Sequence, residues 1–190
     1  TTGLPRVEEL FETRPPKGEA LISEISGTVS EFIDNSKYGE KSVIRISKEL
    51  DKGVFDEKEY QIPIGAKLRV KKGDSIKNGQ KITDGPIKPA NLLDVSAQVD
   101  VQRYIIKEVQ KVYSLQDIAI SDKHIEVIVR QMLKKVFILD AGDTDVLAGT
   151  RVSINVLTAK NNEAILAGKR PAVFSPLILG ITKAALETDS

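Results

Sequence analysis

The side chain with the widest chemical range is the single histidine, His124, which stands two residues after Asp122 at what reads as the first turn of a helix. An imidazole can exchange a proton near neutral pH. No spacing around His124 marks a nucleophile for it to serve, so a polar residue at a helix start is the simpler reading. Asp140, Asp143 and Asp145 make a sparse acidic loop, but they lack the calcium-loop spacing and its terminal bidentate Glu. They read as a solvated turn. Gly27, Gly73, Gly79 and Gly85 fall in neither a GxGxxG nor a GxxxxGK[ST] string, so no phosphate-cradling loop is encoded. The chain has no Cys and only one His, which excludes disulfides, thiolate metal sites, Cys nucleophiles and the two-His metalloprotease helix. The sequence therefore predicts no catalytic residue, no metal site and no cofactor.

Basic residues offer a different chemistry. Lys67, Arg69 and Lys71 alternate along an expected strand, and Lys72 continues the cluster. Such a row could track phosphates or could be an ordinary solvated face. Arg14 and Lys17 bracket the pair Pro15-Pro16. Overall, 28 Lys and Arg face 27 Asp and Glu, for a net charge of +1. The charges balance within each half as well, which excludes a polycation and an acidic tail and leaves room only for local basic contacts. No apolar run approaches the ~20 residues that span a bilayer, and no leader pattern opens the sequence, so a soluble cytoplasmic chain is expected.

The elements that must carry these side chains change character along the 190 residues. Leu4, Val7, Leu10 and Phe11 share a helical face that Pro15-Pro16 should end, giving residues 1–19 as an opening helix and linker. Residues 20–94 read as β-rich. A bent strand around Leu21 to Phe32 comes first, then the run Val43, Arg45, Ile46, then short strands at Lys58 to Ile62 and Ala66 to Val70. The turns Lys72-Gly73-Asp74 and Asn78-Gly79 suggest the edge of a small barrel.

Residues 95–190 switch to helical period, with one amphipathic helix over Val101 to Val112. Ser121 should cap a second helix whose apolar face runs from Ile125 to Val136. Strands at Phe137 to Leu139 and Val152 to Val156, a helix capped by Thr158 and ending at Gly168, and an apolar tail from Leu177 to Leu186 complete the expectation. The fold class is α+β: a small β-rich, barrel-sandwich-hybrid-like module followed by a helix-rich module with short strands. The ends, Thr1 and Thr188-Asp189-Ser190, suggest a piece of something longer.

Two resemblances bear on function. VKKGDSIKNGQKI is similar to the strand-turn-strand pattern of biotinyl and lipoyl carrier domains, but the MKM or DKA tripeptide of those carriers is absent. That likeness concerns the scaffold only. Three longer strings are more specific. GLPRVEELFETRPPKGEALISEISGTV (Gly3 to Val29), YIIKEVQKVYSLQ with SDKHIEVIVRQMLKKV (Ser121 to Val136), and LILGITKAALETDS (Leu177 to Ser190) resemble, in order and spacing, the beta-prime subunits of bacterial RNA polymerases. Residues 33–82 depart most from that pattern.

The resemblance implies the end of the trigger-loop region, the jaw and an adjoining clamp- and switch-side module. It implies support of transcription without chemistry, because the NADFDGD magnesium motif of the family is absent and Mg would be bound elsewhere in the subunit. Gly3, Leu4, Pro5 and Arg6 would belong to the trigger-loop hinge and helix, with Gly3 giving the hinge its freedom. Arg14, Lys17 and Lys183 would contact DNA, with Lys67, Arg69, Lys71 and Lys72 as a further basic face. Implied partners are the beta, alpha, omega and sigma subunits, downstream DNA and small regulatory proteins on the jaw. The competing readings are a free-standing barrel-sandwich module that binds nucleic acid or protein, and a carrier domain.

Overall fold

The computed structural model describes residues 1–187; the last three residues of the LILGITKAALETDS string lie outside the described residues. The fold is α+β, and the chain divides into two compact units. One is Pro15–Ser96. The other joins Thr1–Arg14 to the residues from Ala97 onward, so the opening helix belongs with a segment that begins some 80 residues later in the chain.

In the Pro15–Ser96 unit, β1 (Gly27–Ile33), β2 (Ser42–Asp51), β3 (Val54–Ile62) and the two-residue β4 (Ser75–Ile76) form an antiparallel sheet in the order β3-β2-β1-β4. Val29 pairs with Ile46, and Ile44 with Tyr60. Alternation therefore sends these side chains to one face, where they bury with Ile62, Ile76 and Ile82. The opposite face is polar: Arg45 lies between Glu31 and Glu59 and pairs with both. A short helix, α2 (Pro89–Val95), closes the unit with Leu92 and Leu93 buried. Its Pro sits at the first turn, where a missing N–H costs nothing.

The strand expected at Ala66 to Val70 does not form. The segment makes a single bridge, Leu68 to Thr83, held by Arg69 N to Ile82 O (2.9 Å) and Asp84 N to Lys67 O (2.9 Å). Turns at 63–66 and 71–74 leave too few residues between them for a ladder. The alternation itself persists: Val70 is buried and Leu68 half-buried, while Lys67, Arg69 and Lys71 are exposed.

In the other unit, α1 (Gly3–Phe11) packs on α3 (Gln98–Leu115), and α3 packs on α4 (Asp122–Met132). Leu10 of α1, Val101, Ile105 and Val109 of α3, and Val129 and Met132 of α4 are almost wholly buried. The Ser121 side chain accepts from Lys123 N, as its capping role requires. The turn at 12–14, with Thr13 at φ +50°, ends α1 before the proline pair is reached. Arg6 is the exception in this apolar contact. Only 7% exposed, its guanidinium donates to Glu9 (2.7 Å), to the Tyr104 hydroxyl (3.2 Å) and to Glu108 (3.4 Å).

The remainder is a three-stranded antiparallel sheet, β6-β5-β7, from β5 (Lys135–Asp140), β6 (Arg151–Ser153) and β7 (Val173–Pro176), with helices α5 (Ile154–Leu166) and α6 (Ile181–Leu186). Val136 and Ile138 bury with Leu157 and Ala172. Several expectations need correction here. Val136 lies on β5 and not on the preceding helix, because the helix ends at Met132 and Ile154 N bonds Lys134 O (2.9 Å) as the strand begins.

The expected strand Val152 to Val156 turns helical at Ile154, and Thr158 lies inside α5, its hydroxyl donating to Ile154 O (2.7 Å) instead of capping. Val156, Ile165 and Leu166 of α5 are exposed. Apolar residues around the whole helix blur its period. Between β5 and β6, Asp143 accepts from Arg170 N (2.8 Å) and pairs with its guanidinium (3.6 Å), while Asp145 pairs with Lys160 (2.5 Å).

This packing is open to two tests. Arg6→Ala leaves Glu9 and Glu108 mostly covered without their cation, and removal of one partner of such a pair costs about 3 kcal/mol in urea unfolding; a cost near zero would mark a solvated pair instead. The backbone N–H of Arg170 is the chief cause that holds the Asp143 carboxyl below its ordinary 3.8, with the Arg170 and Lys169 charges adding to it. A carboxyl lowered on folding stabilises the fold fully above pH 3.8 and loses that contribution as pH falls through the lower folded-state value. Carboxyl-detected NMR should therefore give Asp143 a midpoint below 3.8, and Asp143→Asn should flatten the acid limb of the stability profile.

Candidate nucleic-acid interface

Basic side chains reach the surface in three places. Arg14 follows the last turn of α1, its N–H bonded to Glu9 O (3.0 Å) and its guanidinium 3.1 Å from Glu8. Both side chains of that pair are more than half exposed, so the pair is weak and leaves Arg14 donors for a phosphate. Lys17, the third residue of the other unit, is exposed beside the buried Pro16 and makes no ion pair among the described residues. Lys183 is exposed on α6 and likewise has no ion-pair partner among the described residues.

The Lys67 to Lys72 group is not uniform. Asp84 lies 3.9 Å from Lys67 and 3.4 Å from Arg69, whereas Lys71 and Lys72 are exposed without an ion pair among the described residues. Arg69 lines a hollow with Gln80 and Lys81, and Lys81 is a basic neighbour that the alternation at 67–72 does not reveal. The hollow depends on the bridges at Lys81 and Thr83, which no local spacing announces. A larger groove of about 600 Å³ in the same unit is lined by Glu19, Glu24, Glu59 and Asp94 around Tyr60. Its carboxylates repel phosphate, and none of the basic candidates lines it.

Among the residues singled out in α1, Leu4 and Pro5 are exposed and Arg6 is buried in the pairing described above. Gly3 has φ +67°, a conformation that favours glycine. At the far end of the helix, Glu12 does what no local pattern announces. Its Oε1 accepts from the Thr182 N–H (3.2 Å) and the Thr182 hydroxyl (2.6 Å), 170 residues later. The approach is close enough to require Gly180: a Cβ there would lie 2.9 Å from Glu12 O and 3.1 Å from its Cα. The other end of α6 is tied by an ion pair between Arg151 and Glu187. Lys183 is thus carried on a helix tethered at both ends.

The three aspartates of the 140–145 loop do not converge on a metal site. Asp143 and Asp145 are occupied by Arg170 and Lys160, and Asp140 accepts from Gly142 N (2.8 Å). Among the described residues no three His, Cys, Asp or Glu side chains converge. His124 is exposed at the first turn of α4. Among the described residues no helix is long and apolar enough to cross a membrane. The exposed cations could hold phosphates at isolated points.

The chain is 48% identical over all 190 residues to the beta' subunit of DNA-directed RNA polymerase from Bacillus subtilis (strain 168), and 50% identical to that of Bacillus cytotoxicus. The subunit from Halalkalibacterium halodurans is likewise 48% identical. In each case the whole of this chain is covered, and it spans 15% of the length of the relative. Residues 7–189, nearly the full sequence, match the family described as RNA polymerase Rpb1, domain 5. With a family match over nearly the whole sequence and about half of all positions identical to beta' subunits, the chain belongs to the RNA polymerase Rpb1 domain 5 family.

Proposed function

We propose that the chain works as part of the beta' subunit of a DNA-directed RNA polymerase, holding downstream DNA and anchoring the trigger-loop hairpin during transcription. The observation that carries this reading is identity of about half of all positions over the entire chain with beta' subunits. In this role α1 is the distal helix of the trigger-loop hairpin and Gly3 its hinge. The β-rich unit is the jaw, and α6 leads into the switch region. The chemistry of nucleotide addition belongs to the rest of the subunit, where Mg is held, and the segment alone is inactive. Its partners are the beta, alpha, omega and sigma subunits, downstream DNA, and small regulatory proteins that dock on the jaw, all in the bacterial cytoplasm.

Arg14, Lys17 and Lys183 are the side chains that meet phosphates in this reading. Their exposure and, among the described residues, their lack of strong intramolecular pairing suit that task, since a cation already committed to a buried carboxylate could not release counterions from DNA. Contacts of this kind place the duplex without reading its sequence. Lys67, Arg69, Lys71 and Lys72 form a further basic face, on which Lys67 and Arg69 share Asp84 through exposed, weak pairs.

Arg14→Ala with Lys17→Ala, in the assembled polymerase, should shorten the half-life of the promoter complex and reduce the slope of its logarithmic salt dependence by about 0.9 for each phosphate no longer neutralised. The weakening should be uniform across promoter sequences. An unchanged half-life at every salt concentration would remove both residues from the DNA surface.

A further inference from the structure

We propose that Glu12 is a positioning residue for nucleotide addition, coupling α6 with its Lys183 to the end of α1. The inference rests on the reading above, in which α1 belongs to the trigger-loop hairpin and Lys183 meets nucleic acid. Three observations carry it. The Glu12 carboxylate receives two hydrogen bonds from Thr182, the residue beside Lys183. The backbones of Glu12 and Gly180 approach so closely that any side chain at 180 must push them apart. Finally, neither end of the contact is free to absorb a displacement locally. Arg6 fixes α1 to α3 through Glu108 and Tyr104, Leu179 N bonds Met132 O (2.9 Å) at the end of α4, and Glu187 is paired with Arg151.

A shift of α6 is therefore passed to the end of α1 and not dissipated in loops. Closely packed segments of this kind move between discrete arrangements. Nucleic acid held at Lys183 favours one position of α6, and Glu12 transmits that preference to α1. Thr182 supplies the hydroxyl, Gly180 supplies the clearance, and neither touches substrate.

The test uses polymerase assembled with full-length beta' subunit and reads two quantities: the half-life of the DNA complex against salt, and the rate of single-nucleotide addition at saturating substrate. Glu12→Ala and Thr182→Val should each slow addition by about fivefold while leaving the salt slope of the half-life unchanged. Combined, they should be no slower than the slower single variant, because both act on the same hydrogen-bonded pair. Thr182→Ser should restore the rate, and Gly180→Ala should slow it as Glu12→Ala does. Lys183→Ala should slow addition in the parent enzyme and have no further effect on addition in the Glu12→Ala background, while still shortening the half-life in both.

Independent, multiplicative effects of Glu12→Ala and Thr182→Val, or an undiminished effect of Lys183→Ala on addition in the Glu12→Ala background, would overturn the coupling. A Lys183→Ala enzyme with unchanged half-life and salt slope would instead overturn the DNA contact. In that case the comparison of Glu12→Ala with Thr182→Val still decides whether Glu12 positions α1.

Discussion

The buried guanidinium of Arg6 is the constraint on which the arrangement of its unit depends. A nine-residue helix is too short to persist in water by itself. Its apolar residues Val7 and Leu10 supply burial against α3, but apolar contact is non-directional and would tolerate sliding or rotation. Arg6 removes that freedom. Its planar fork of donors meets Glu9 on its own helix and Tyr104 and Glu108 on α3, and the two contacts on α3 favour one register of the two helices. Desolvating a charge opposes folding, so such a group is better understood as fixing geometry than as a large net source of stability.

Everything downstream of that contact inherits its placement. With α1 set by Arg6, Glu12 projects from a known position at the end of the helix, and the Gly180–Thr182 segment is received against it. Arg151 and Glu187 hold the other side of α6. A chain of specific polar contacts thus runs from α3 through α1 to the short helix that bears Lys183, set within an apolar core that is otherwise ordinary. The β-rich unit follows a different logic. There the sheet register and one apolar face do the work, and the charged side chains, including Arg45 between Glu31 and Glu59, lie on the outer face.

The candidate interface is correspondingly divided. Arg14 and Lys17 belong to different compact units, although only Pro15 and Pro16 separate them in the chain, whereas Lys183 stands on a tethered helix. Asp84 partly neutralises Lys67 and Arg69, so alternation of basic residues along a segment is a poor guide to which of them keep their charge unpaired. The acidic loop at 140–145 illustrates the converse. Asp143 and Asp145 are engaged by Arg170 and Lys160, 27 and 15 residues away, and those distant cations make the loop a structural clasp.

Local physics makes several features legible from residues alone. Helical period places α3 and α4, the Ser121 cap is readable because its partner N–H is two residues away, and the α+β class follows from the change of period near residue 95. Strings such as GLPRVEELF and GITKA carry the family because they are long and ordered, whatever their structural cause. Features set by partners distant in sequence are illegible. The segment at 66–70 has strand-like alternation and no strand to pair with; α5 has apolar residues on every side, so its face is chosen by the sheet it meets.

No spacing in the sequence connects Glu12 with Gly180 and Thr182, or Arg6 with Tyr104 and Glu108. By itself the sequence determined the fold class and the family, since these depend on residue types, short-range periodicity and long ordered strings. Only the tertiary structure decided which charges are paired and which helices are tethered, because hydrogen bonds across 98, 102 and 170 residues have no local signature.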